Sequence, residues 1–150
     1  MATLTVTLTE SLALGDGSTD RGTTNIQTIT SIDEVAHRIM DVTASYVDII
    51  KVGSVASAGT FKTGGIKYLR ITNLDDTVTI TLRMQNADSE YFVTLEPEDH
   101  FILGNDNMDA HETGATALGT AESLADIDVI SAKSSSGTKQ IEYFIASVVA

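Results

Sequence analysis

The sequence predicts an all-β chain folded as an antiparallel β-sandwich, jelly-roll-like, with about ten short strands. Three observations carry that prediction. Apolar and polar residues alternate with period two in several threonine-rich runs, clearest in TVTITLRM, where Val78, Ile80, Leu82 and Met84 point one way and Thr77, Thr79, Thr81 and Arg83 the other. Threonine, whose β-branch and hydroxyl suit a half-wet pleated surface, occurs 21 times. Turn residues separate the runs, and no long amphipathic helical stripe interrupts them.

Each element follows from local chemistry. TLTVTLT sets Leu4, Val6 and Leu8 against Thr3, Thr5, Thr7 and Thr9, and LGDGSTDRG, residues 14–22, then breaks the order as a surface turn. Further strands are expected near residues 25–30, 35–42, 46–52, 67–73, 77–84, 91–95, 101–103, 126–132 and 141–148. The Asn73, Leu74, Asp75, Asp76 stretch and the Ser134, Ser135, Ser136, Gly137 stretch read as hairpin turns. The only proline, Pro97 in EPED, fixes a turn clear of any central ladder. Residues 106–125 read either as a long loop or as one carrying a short helix near 120–125. Leu69, Ile71, Val78, Ile80, Leu82, Val93, Ile127, Val129, Ile141, Tyr143 and Ile145 form the expected core.

A chain of 150 residues fits one domain, residues 1–150, that buries enough surface to fold unaided. Only 5% of it is aromatic, so the core must be built from Val, Ile, Leu and Ala. A formal charge of −12 with nine Lys and Arg argues against nucleic acid and anionic membrane as partners, because both are recognised through clustered cations. The same acidity suits a solvated exterior. The absence of cysteine excludes disulfides and thiolate metal sites. MATLTVTLTESLAL lacks the basic start and continuous apolar stretch of a signal peptide, and no run reaches the length of a membrane span. A soluble protein made in the cytoplasm without a signal peptide is therefore expected.

Asn105, Asn107 and Asp109 have the one-three-five spacing of a calcium loop, but Ala110 stands where the loop needs glycine and Thr116 where it needs a bidentate Glu. GDGSTD at residues 15–20 is discounted similarly. His100 and His111 with Asp106, Asp109 and Glu112 offer zinc-type ligands, yet their spacing does not gather them. His37 reads as a satisfied strand histidine. No GxSxG is present, and GTFKTGGIK, residues 59–67, lacks Walker spacing and reads as a hairpin or disordered loop. Asp33 with Glu34, and Asp75 with Asp76, sit at expected turns. Tyr46, Tyr68, Tyr91 and Tyr143 fall in expected strands, where packing rather than sugar stacking is their expected role. Neither a catalytic residue, a metal nor a cofactor is therefore expected.

Taken together, VAHRIMDVTASYVDIIKVG at residues 35–53, KYLRITNLDDTVTITLRM at 67–84, the Leu95-Glu96-Pro97 turn and the closing run IEYFIASVV have a layout that resembles small virion structural proteins of tailed phages. That resemblance implies a jelly-roll-like sandwich without enzymatic activity. It implies a bacteriophage capsid decoration or cement protein on the outer head surface, a homotrimer bound to the major capsid protein or another virion protein. A tail, collar or head-fibre component, or a glycan-binding β-sandwich module, are the alternative readings. Residues 1–14 are a candidate N-terminal docking strand, with Leu4, Val6 and Leu8 filling pockets of a neighbour; an ordinary first strand of its own sheet is the competing expectation.

Overall fold

A computed structural model describes residues 1–15, 21–87, 89–108 and 125–149. Among them the chain is all-β. Ten strands have four residues or more: β1 (Ala2–Leu12), β2 (Arg21–Ile32), β3 (Glu34–Val42), β4 (Val47–Gly53), β6 (Ile66–Asn73), β7 (Ile80–Gln85), β8 (Glu90–Leu95), β9 (His100–Leu103), β12 (Val129–Ser134) and β13 (Lys139–Ser147). Three shorter pieces complete the order: β5 (Thr60–Lys62), β10 (Asn107–Met108) and β11 (Ala125–Asp126).

Two sheets carry the body, a four-stranded one in the order β3-β13-β6-β9 and a five-stranded one in the order β5-β4-β12-β7-β8. Their pairing is nested. Strand β3 pairs with β13, β4 with β12, β6 with β9 and β7 with β8, all antiparallel, so the chain behaves as one long hairpin doubled over on itself. Cross-pairs β13 to β6 and β12 to β7 then close each sheet, which is the double Greek key of a jelly roll. Strand β5 adds a parallel edge to β4.

Alternation builds the interior. Ile141, Tyr143 and Ile145 of β13, Leu69 and Ile71 of β6, and Ile80, Leu82 and Met84 of β7 are buried in one cluster with Ile50, Leu95, Ile127, Ile130 and Ala132. Facing inner surfaces of two sheets interdigitate in this way across a sandwich core. Val78 and Val129 are only half-buried, and Val93 packs against the core from its rim. Val78 departs from expectation because the β7 ladder begins at Ile80; residues 74–79 are still crossing between layers.

That crossing corrects three readings. The Asn73 to Asp76 stretch is not a hairpin turn, because β6 and β7 belong to different sheets. The Ser134 to Gly137 stretch is likewise an arch from β12 to β13. The tight hairpin within the sandwich is instead β7 to β8, closed where Asn86 N–H donates to Ser89 O at 3.0 Å and Ser89 N–H donates to Asn86 Oδ1 at 2.8 Å. Residues 59–67 form neither a hairpin nor an unstructured loop: they hold β5 and then a tight turn. Gly64 adopts φ 71° there, and a Cβ on Gly65 would lie 2.7 Å from both Lys62 O and Val148 O, so both glycines are required by the backbone.

The expected helix at 120–125, apart from Ala125, which belongs to β11, and most of the candidate calcium loop, including Asp109, Ala110, His111, Glu112 and Thr116, lie outside the described residues, as do residues 16–20 of GDGSTD. Asp106 is described. It is buried, and its Oδ2 accepts the Gly64 N–H at 2.7 Å, tying the segment after β9 to the turn before β6. Burial, reinforced by the charge of Asp126, pushes its pKa up. No helix among the described residues is long and apolar enough to cross a membrane.

Candidate functional site

Strands β1 and β2 stand apart from the body as a two-stranded antiparallel ribbon, in which Leu4 pairs with Ile29, Val6 with Gln27, Leu8 with Asn25 and Leu12 with Arg21. At about 3.3 Å per residue this arm is roughly 35 Å long. Period-two alternation puts Leu4, Val6, Leu8, Glu10 and Leu12 on one face of it, with Thr23 and Arg21 opposite the last two, and Thr3, Thr5, Thr7, Thr9 and Ile26 on the other face. The register slips between Ala2 and Leu4, and opposite that slip Ser31 adopts φ 63°. A bulge of this kind kinks the strand where β2 hands over to β3.

The base of the arm is anchored. Leu4, Val6 and Ile29 pack, as half-buried Phe144 also does, against the buried cluster of Ile32, Tyr68 and Ala146 on the outer face of the four-stranded sheet. Beyond that base the same face is uncovered: Leu8 is 47% exposed and Leu12 55%, while Ile26 on the reverse face is 68% exposed. Of the three residues expected to dock, the structure therefore places Leu4 and Val6 against the chain's own sheet and leaves Leu8 open. The outer edges of both arm strands pair with no other strand among the described residues. Two-stranded ribbons are marginal in water, and open edges are templates for pairing, so the distal arm presents an open face beside two open edges.

Beneath the arm lies a face of matching character. Cross-strand register aligns one row as Ile39, Glu142, Thr72 and His100, and the next as His37, Phe144, Arg70 and Ile102. Glu142 accepts from Arg70 Nη2 and pairs with His37 Nε2 at 3.2 Å, while Thr72 Oγ1 and His100 Nδ1 share a hydrogen bond of 3.0 Å. The His37 hydrogen bond, helped by Arg70, holds the Glu142 carboxyl below its ordinary range. The Phe144 ring sits 6.1 Å from both the His37 and Tyr68 rings. Around this ion cluster Val35, Ile39 and Ile102 are 54%, 58% and 47% exposed.

These residues escaped sequence reasoning, although a signal existed. In VAHRIMDV both strand faces carry large apolar residues, Val35 and Ile39 on one and Ala36, Met40 and Val42 on the other. A strand apolar on both faces lines the core with one and leaves an apolar outer surface with the other.

The opposite outer face, on the five-stranded sheet, is more polar. Tyr46 carries the Arg83 guanidinium 4.4 Å and the Lys133 ammonium 4.9 Å from its ring centroid. Ser131 Oγ donates to Asp48 Oδ1 at 2.9 Å and receives Arg83 Nη2 at 3.4 Å, beside the exposed ring of Phe92. Among the described residues no three His, Asp or Glu side chains gather as a metal site.

No protein-family model, curated protein or solved structure matches the chain.

Proposed function

We propose that the protein is a non-enzymatic virion structural protein, a capsid decoration or cement protein that stabilises a phage head from its outer surface. The observation that carries this reading is the arm: a neutral two-stranded ribbon with an uncovered leucine face, mounted on a rigid jelly roll. Such a device serves attachment to neighbouring subunits by main-chain pairing and apolar burial. Its partners are then further copies of this chain, in a homotrimer, and the major capsid protein or another virion protein. A net charge of −12 agrees with a position outside the DNA-filled interior.

Peptide mass spectrometry of purified virions, combined with a low-resolution map of the particle, tests the proposal. Density from this chain over the head surface is the expected outcome. Density on the tail or collar would transfer the same arm to the alternative structural role, and absence from the particle would overturn both. A glycan-binding reading has one observation in its favour, the Phe92, Arg83, Ser131 and Asp48 row on the five-stranded sheet. Binding on a glycan array that Phe92→Ala abolishes would establish it.

A further inference from the structure

We infer that the arm of one copy docks on the outer face of the four-stranded sheet of a second copy, bringing Leu8 and Leu12 onto Ile39 and Ile102 of that neighbour. The inference rests on the reading of the arm as an assembly device and names what the arm takes hold of.

Chemical fit between these two surfaces is already present within one chain. Leu4 and Val6 belong to the same arm face as Leu8 and Leu12, and they pack against the buried cluster of Ile32, Tyr68 and Ala146, the last two of which belong to that same sheet. Each half of this contact continues past its own end. On the arm Leu8 and Leu12 remain open, and on the sheet so do Ile39 and Ile102, which shows that neither pair covers the other within the chain. A second copy supplies both missing halves, with surface of a kind that already matches.

Charge favours the same occupant. Although the chain carries −12, the described arm strands hold only Glu10 and Arg21, and Glu142 on the receiving face is matched by Arg70. Glu10 and Arg21 share the docking face with Leu8 and Leu12, and Glu142 of the receiving face is paired with Arg70, so two acidic copies meet through patches in which each carboxylate has a cation on its own face. A basic partner would be steered to the acidic remainder of the surface instead. Because arm and face are different patches, the contact is heterologous, and each copy has one of each to offer.

Complementation tests the inference. Sedimentation velocity of the full chain is expected to show an oligomer at micromolar concentration. Leu8→Asp with Leu12→Asp, or Ile39→Asp with Ile102→Asp, should each weaken self-association more than about tenfold, since a buried charge costs more than the 1.4 kcal/mol that a tenfold change represents. Circular dichroism and melting temperature should stay near those of the parent, because all four side chains are exposed; where an Asp variant misfolds, the Thr versions keep the strand and repeat the test. An equimolar mixture of arm variant and face variant should regain a one-to-one complex, since each retains the surface that the other lacks. A monomeric parent chain, an unchanged oligomer in the face variant, or a mixture that stays monomeric would each overturn the inference. If the parent chain is monomeric yet found on virions, the assembly reading stands and the second-copy occupant falls; an oligomer absent from virions has the opposite meaning.

Discussion

Asn73 shows how much one buried polar side chain organises. Its amide nitrogen donates to Val78 O at 2.8 Å and Glu96 O at 3.0 Å, and its carbonyl accepts the Asp75 N–H at 3.1 Å, so a single side chain pins the β6–β7 and β8–β9 arches together. Asn73→Ala would leave those buried backbone groups unpaired at about 1–3 kcal/mol each, and urea denaturation should show a loss of at least about 2 kcal/mol. Two residues on, Asp75 Oδ1 accepts from Thr77 and Val78 N–H while Oδ2 meets Lys139 Nζ at 2.7 Å. The Lys139 hydrogen bond, with those backbone donors, holds the Asp75 carboxyl well below the usual carboxylate range. A lowered folded-state pKa stabilises the fold above the unfolded value of about 3.9 and loses that contribution as the pH falls through the folded one. Asp75→Asn should therefore lower the melting temperature at pH 7, and the gap to the parent should narrow steadily below about pH 4. Glu98 offers a gain instead. In the turn where Asp99 N–H donates to Glu96 O, Pro97 takes the first central position and Glu98, at φ 63°, the second, which favours glycine. Glu98→Gly should raise the urea midpoint by the equivalent of up to about 1 kcal/mol without changing the slope. Turn chemistry at these positions was legible from NLDD and EPED, but it does not say whether the strands on either side share a sheet, and both connections proved to be arches.

At the scale of elements, alternation marked the strands that bury one face. Ile80, Leu82 and Met84 were readable because polar residues separate them, whereas Ile49, Ile50 and Val52 of β4 lie around a register shift that spoils a simple period of two. Strand β2 was only partly visible. In RGTTNIQTITSI the apolar residues fall three apart, at Ile26, Ile29 and Ile32, since only Ile29 shares the anchored face of the ribbon with Leu4, Ile32 lies beyond the bulge and Ile26 faces away. The arm is two-stranded and mostly uncovered beyond its base, so its hydrogen bonds should open independently of the body. In native-state hydrogen exchange of the monomer, amides of residues 6–9 and 24–27 should exchange far faster than those of β13, which is paired on both sides. Assembly through the arm should slow exchange in those residues selectively, and equal protection of arm and β13 in the monomer would show that the ribbon is part of the body.

The whole molecule joins the ends of its body through the longest-range pairs, with Glu34 set against Ser147 and Lys139 against Val42. No local pattern encodes such pairs: the alternation that reveals β3 and β13 is silent on which strands become neighbours, so fold class was readable and strand order was not. The charge balance is likewise a property of the whole. With nine cations for 21 acids, the pairs Arg70 with Glu142, Lys139 with Asp75 and Lys51 with Asp48 leave a large unmatched negative charge on a compact body. An exposed pair such as Lys51 with Asp48 contributes at most about 1 kcal/mol, whereas the repulsion among the remaining carboxylates is spread over the whole surface. Raising NaCl from about 0.02 M to 0.5 M shortens the screening length from about 20 Å to about 4 Å, which weakens the spread repulsion more than the short contacts. The melting temperature should therefore rise with salt. Self-association should strengthen over the same range, because the surfaces that meet are neutral and the surroundings that repel are not. A melting temperature that falls with salt would mean that the ion pairs, rather than the net charge, dominate the electrostatics of this fold.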